Sequence, residues 1–152
     1  MNYWLMKSEP DVFSIDDLKK KGVSGWDGVR NYQARNYMRQ MKIGDLVFFY
    51  HSNAKPPAIV GIMTVVREAY PDPTQFDPKS DYFDSRSPTD NPRWSQVDVR
   101  YQETFARALS LDDLRGMPIL SKMVLLHRGR LSVQPVMVGE WEAIVIAGRT
   151  GR

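Results

Sequence analysis

Four short runs in this sequence concentrate the side chains that could recognise something. Lys7-Ser8-Glu9-Pro10 follows a first apolar segment, and Tyr50-His51-Ser52-Asn53 follows a second. Trp26-Asp27-Gly28-Val29-Arg30-Asn31-Tyr32-Gln33-Ala34-Arg35-Asn36 leads into an amphipathic stretch, and Arg130-Leu131-Ser132-Val133-Gln134-Pro135 alternates polar with apolar. Together they supply a flat indole face, amide and hydroxyl groups that donate and accept, and cations. A nucleobase on its phosphate backbone asks for those three things. Each residue also has a plainer use. Asn31 can cap a helix, Trp26 can be core, and His51 at a strand end can be a structural hydrogen-bonder.

Other chemistries lack their residues. With no cysteine there is no thiolate nucleophile, disulfide or thiolate-bound zinc. Neither His51 nor His127 sits in a metal-ligand spacing. No phosphate-binding glycine loop and no dinucleotide fingerprint occurs. No serine lies in a nucleophile-elbow context. A binding protein without cofactor or metal is the expectation, and an enzyme using Glu9 or His51 as general base is the weaker alternative.

The elements that would position these runs can be read from periodicity. Asn2–Met6 reads as a short strand. Ser14-Ile15-Asp16-Asp17-Leu18 and Ser110-Leu111-Asp112-Asp113-Leu114 both read as capped helix starts. Asn31–Met41 predicts a helix, with Ala34, Tyr37, Met38 and Met41 on its apolar stripe and Arg35, Arg39 and Lys42 on a basic ridge. Leu46–Tyr50 and Ala58–Val66 predict central strands, and Gln96–Gln102 a half-exposed one. Arg130–Gln134 alternates as a strand with Arg130, Ser132 and Gln134 on its polar face. Glu140–Ala147 predicts a closing helix, with a strand at Ile144-Val145-Ile146 as the alternative. Regular βαβ alternation is missing, so an α+β fold, a partly open β-barrel flanked by short helices, fits better than a doubly wound sheet.

The length of 152 residues predicts one domain over 1–152. Prolines and aspartates crowd 70–94, which predicts a long irregular excursion, functional or mobile. No apolar run approaches the ~20 residues that span a bilayer, and the N-terminal apolar run is too short for a signal peptide. The expected compartment is the cytoplasm. The net charge is +3, and the charge is segregated. The stretches between Asp27 and Asp45 and between Asp113 and Glu140 carry cations only. That is a footprint for an anionic partner.

The four runs, taken in order with Tyr3-Trp4-Leu5-Met6 before Lys7, Phe48-Phe49 before Tyr50 and Val136 after Pro135, closely resemble the EVE domain family. The resemblance spans nearly the whole chain. It implies a PUA-like pseudo-barrel, related to the YTH readers of methylated RNA, with a pocket for a modified base, modified cytosine in DNA first. By the same resemblance Trp26 would stack on the base, and Asn31, Ser52 and Gln134 would read its edge. Lys7, Ser8 and Glu9 would form one rim, with His51 and Ser132 beside the opening. Arg30, Arg35, Arg39 and Arg130 would hold phosphates. A small polar cap is expected near Met137-Val138, where the sequence has none. An RNA-binding protein for tRNA or rRNA that reads no modification is the competing expectation.

Overall fold

The computed structural model describes residues 1–150. In chain order the elements are β1 (Tyr3–Ser8), α1 (Ile15–Lys21), β2 (Val23–Gly25), α2 (Tyr32–Gln40), β3 (Leu46–His51), β4 (Ala58–Pro71), β5 (Ser95–Ser110), α3 (Leu111–Arg115), α4 (Val124–His127), β6 (Val133–Val136) and α5 (Val138–Thr150). The strands form one mixed sheet in the order β2-β5-β4-β3-β1-β6, open between its edges β2 and β6. The α+β expectation and the open sheet agree with this.

β1 runs parallel to β3 and antiparallel to β6, and the other pairings are antiparallel. Both faces of the central strands are covered, which explains why they are apolar almost without alternation. On one face Trp4, Met6, Val47, Phe49, Met63 and Val65 meet Ala34 and Met38 of α2 and Leu18 of α1. On the other, Leu5, Phe48 and Ile62 meet Trp141 and Ile144 of α5. Trp141 lies flat on Phe48, ring centroids 3.8 Å apart. Trp4, Trp94 and Trp141 are all core, as packing residues should be. The Trp4 indole N–H donates to buried Asp45 at 3.0 Å.

Helix starts follow the sequence closely. Ser14 and Ser110 each accept from the backbone N–H three residues on, and Asp17 and Asp113 return the bond. Both carboxyls are held below their ordinary pKa, first by the serine backbone N–H. α5 extends beyond the predicted span at both ends. The cap missing from Met137-Val138 is supplied by Glu140, whose carboxylate accepts from the Met137 N–H at 2.9 Å.

One expectation is corrected. β6 begins only at Val133, because 128–132 is turned backbone, so the alternation from Arg130 to Gln134 is not one strand. Gln134 is therefore fully buried instead of sharing a polar face with Arg130 and Ser132. The excursion is irregular beyond a 3₁₀ turn at Pro73–Phe76, but it is pinned. Gln75, fully buried, donates to the Asp72 and Trp94 carbonyls and accepts from Ser87 and the Trp94 N–H. A segment too poor in apolar residues for its own core is held by a saturated polar one.

Candidate nucleic-acid site

Strand register explains how distant runs come together. The parallel β1–β3 pair sets Lys7 beside Tyr50 and Ser8 beside His51, so both strands end at one edge. The Ser52 N–H then donates to the Ser8 carbonyl at 3.1 Å. On β1's other side the Lys7 N–H donates to the Ser132 carbonyl at 2.9 Å, which brings in the 128–132 turn. The fourth wall arrives from the sheet edge, where the Trp26 N–H donates to the Val97 carbonyl at 2.8 Å. Between these ends lies a cleft of about 660 Å³, within the usual range for small-ligand sites.

Eight of the thirteen expected site residues line this cleft: Lys7, Ser8, Glu9, Trp26, Arg30, Ser52, Arg130 and Ser132. Trp26 is only 6% exposed. It stands edge-on to Phe49 at 5.2 Å and to Phe13 at 6.2 Å, so its orientation is fixed and its open surface belongs to the cleft. The Ser8 hydroxyl donates to the Phe13 carbonyl at 2.6 Å. The Lys7 ammonium donates to the Gly129 carbonyl at 2.7 Å, and burial lowers its pKa. Glu9 is exposed and accepts from the Asn53 amide at 3.3 Å.

The other five lie elsewhere, for reasons visible in their bonds. Asn31 is the N-cap of α2, its side-chain oxygen accepting from the Ala34 N–H at 2.9 Å. One of that oxygen's two acceptor positions is thus given to the helix. His51 accepts from the Ile15 N–H at 3.1 Å through Nε2, tying β3 to the first turn of α1. Burial lowers its pKa, against the opposing charge of Asp16, and favours the neutral ring that this bond needs. Gln134 donates to the Leu131 and Arg128 carbonyls and so braces the turn that carries Arg130. Its Oε1 has no partner among the described residues. Arg35 donates to the Arg93 carbonyl, and Arg39 to the Ser95 hydroxyl and the Pro92 and Arg93 carbonyls. Both clamp the end of the excursion.

Arg30 lines the cleft yet has nothing left for a phosphate. Its Nε and Nη2 donate to the Tyr82 carbonyl, Nη2 also to Thr74, and Nη1 to the Val29 carbonyl and to Asp72. Those are all five donors of a guanidinium. Asp72 is fully buried and also accepts from the Gly28 N–H at 2.9 Å. Gly28 has φ +80°, and a Cβ there would sit 2.6 Å from the Tyr82 ring. Excursion and loop are thus locked face to face.

Sequence reasoning missed Asp27, Tyr82, Lys21 and Phe13, all on the wall. Asp27 stands inside a run already singled out, beside Trp26, and its position was the available signal. Tyr82 arrives through long-range packing that no local pattern announces. Among the described residues no group of three His, Asp or Glu could hold a metal ion, and no helix is long and apolar enough to cross a membrane.

Comparison with known proteins agrees with this geometry. The family model described as the EVE domain matches residues 2–147. Thymocyte nuclear protein 1 of Rattus norvegicus is 48% identical, over 95% of this chain and 72% of its own length. A hypothetical protein from Leishmania major superposes with a TM-score of 0.96 at 47% identity, covering 99% of this chain and 96% of that one. The human THYN1 protein, crystallised in complex with 5-methylcytosine-containing DNA, superposes with a TM-score of 0.93 at 45% identity, over 97% and 98%. A match along nearly the full sheet and all four walls of the cleft makes this chain a member of the EVE domain family.

Proposed function

We propose that the chain is a binding module that takes one modified cytosine from a DNA strand into the cleft beside Trp26. The observation that carries this reading is the convergence of the β1, β3 and β6 ends with Trp26 on one cleft, in a fold shared with a protein crystallised on 5-methylcytosine-containing DNA. Trp26 supplies the stacking surface. Ser8, Ser52 and Ser132 supply hydroxyls to the base or its sugar. Lys7 and Glu9 form one rim, and Arg130, exposed and without a described partner, meets a phosphate. The chain acts as one domain, in the cytoplasm.

Stacking contributes about 1–3 kcal/mol. An apolar fit to one methyl group adds about 1–3 kcal/mol of discrimination. Extruding the base costs a few kcal/mol from a duplex and less from a single strand. The net selectivity is therefore modest. Of the two candidate general bases, His51 is tied into the fold, its Nε2 accepting from the Ile15 N–H, and Glu9 alone stands on the cleft.

The test is a fluorescence titration at fixed salt, with matched DNA and RNA oligonucleotides carrying cytosine or 5-methylcytosine at one central position. About tenfold tighter binding of the methylated DNA is expected. Equal affinity for all strands would leave a general nucleic-acid binder and defeat the proposal.

A further inference from the structure

Most charged side chains on the cleft wall are already engaged. Lys7 holds the Gly129 carbonyl, Lys21 the Ser24 hydroxyl, Glu9 the Asn53 amide, and Arg30 spends every donor. Asp27 differs. Its carboxylate has no ion pair and no hydrogen bond to another residue's side chain among the described residues, and it opens into the cleft. It follows Trp26 directly, in the irregular loop after β2 where both side chains line the same space. The cleft walls, and then the negative charge of buried Asp72, push its pKa up. An ionised group so placed gains from a donor that arrives with the ligand.

The ligand chemistry follows from what a carboxylate can do. It repels phosphate, so it is no backbone contact. It accepts, and among base edges the exocyclic amino group of cytosine is the donor that aspartate and glutamate pair with. Thymine carries the same 5-methyl group but turns a carbonyl oxygen to that position, acceptor against acceptor.

We propose that Asp27 accepts the exocyclic amino group of the bound base and so selects a 4-aminopyrimidine over a 4-oxopyrimidine. This inference rests on the base-binding reading above. It assigns the amino edge to Asp27 and leaves the methyl group to other walls of the cleft.

5-Methylcytosine and thymine share the 5-methyl group and differ only at position 4 and the adjacent N3, an acceptor in the first and an N–H in the second, so they are the probes. Wild type, Asp27→Asn and Asp27→Ala are titrated with DNA carrying 5-methylcytosine, cytosine or thymine at one position. The DNA is offered single-stranded, and as duplexes with the base opposite an abasic site, so that no base is held by a partner. Wild type should prefer 5-methylcytosine over thymine by about ten- to a hundredfold. Asp27→Asn, near-isosteric and able to donate to the thymine oxygen, should narrow that ratio at least tenfold. The ratio of 5-methylcytosine to cytosine should hold in Asp27→Asn. Asp27→Ala should narrow the thymine ratio without favouring thymine. If wild type prefers 5-methylcytosine over cytosine while Asp27→Asn keeps the thymine ratio, the role of Asp27 is overturned and the base-binding reading stands. If wild type distinguishes none of the three bases, or binds none of them, both fall.

Discussion

Trp26 is both cleft wall and core, and that double role decides how its substitutions read out. Its edge-on contacts with Phe49 and Phe13 mean that truncation to alanine opens a void as well as removing the aromatic surface. Trp26→Leu is the cleaner change, since it keeps apolar volume and discards the π-face. We expect Trp26→Leu to lose preference for the modified base, a loss of about 1–3 kcal/mol, while weak salt-sensitive binding persists. Titration paired with a thermal melt checks this. Unchanged preference in a folded Trp26→Leu protein would remove Trp26 from recognition. At this scale residue type and context pointed to one shared cleft for Trp26 and Ser52, and both line it. The sequence misled where one residue type serves two purposes. Asn31 offers an amide edge to a base and equally a cap to α2. Arg30 suits a phosphate, and suits equally well the Tyr82 carbonyl and Asp72. Choosing between those uses takes knowledge of what folds back against them.

What folds back is the excursion between β4 and β5. Its proline and aspartate content was visible in the sequence, and its backbone is irregular apart from the one 3₁₀ turn. Its fixed position was not visible there, because the bonds that fix it span 42 to 58 residues. Asp72 is the centre of the attachment, receiving Arg30, the Gly28 N–H and the Thr74 N–H and hydroxyl. Removing one partner of such a buried cluster leaves the other groups unsatisfied. Arg30 keeps some solvent access, 22% of its side chain, so the cost falls below that of a fully buried pair. We expect Asp72→Ala to destabilise the protein by about 2–4 kcal/mol, read from urea unfolding. It should also weaken binding of 5-methylcytosine DNA, because the loop carrying Trp26 and Asp27 loses its anchor. Gly28→Ala should do the same from the other side, by driving a Cβ into the Tyr82 ring. Full affinity in a destabilised Asp72→Ala protein would mean that the excursion supports the fold and not the cleft.

Over the whole molecule the central strands were legible, because burial on both faces leaves an apolar run that few other elements produce. The order β2-β5-β4-β3-β1-β6 was not, since pairing β1 parallel to β3 across the intervening helices is a tertiary choice. Charge shows the same division. The cationic stretches are plain in the sequence, but their use is settled by the fold. Arg35 and Arg39 hold excursion carbonyls, Arg30 is saturated, and Arg130 has no partner among the described residues, while Lys21 across the cleft keeps donors beyond the one given to the Ser24 hydroxyl. The two arrangements predict different salt dependence. Four phosphate-holding arginines would give a slope of log K against log salt near −2.8 on single strands, at about −0.7 per phosphate. Arg130 and Lys21 alone would give about −1.4. We expect the shallower value, with Arg130→Ala flattening it by about 0.7. Arg39→Ala should leave the slope alone and lower the melting temperature, because it loosens the excursion and no phosphate contact. If Arg39→Ala flattened the slope as much as Arg130→Ala, the guanidinium would have to leave its carbonyls on binding. The basic ridge of α2 would then return to the nucleic-acid interface.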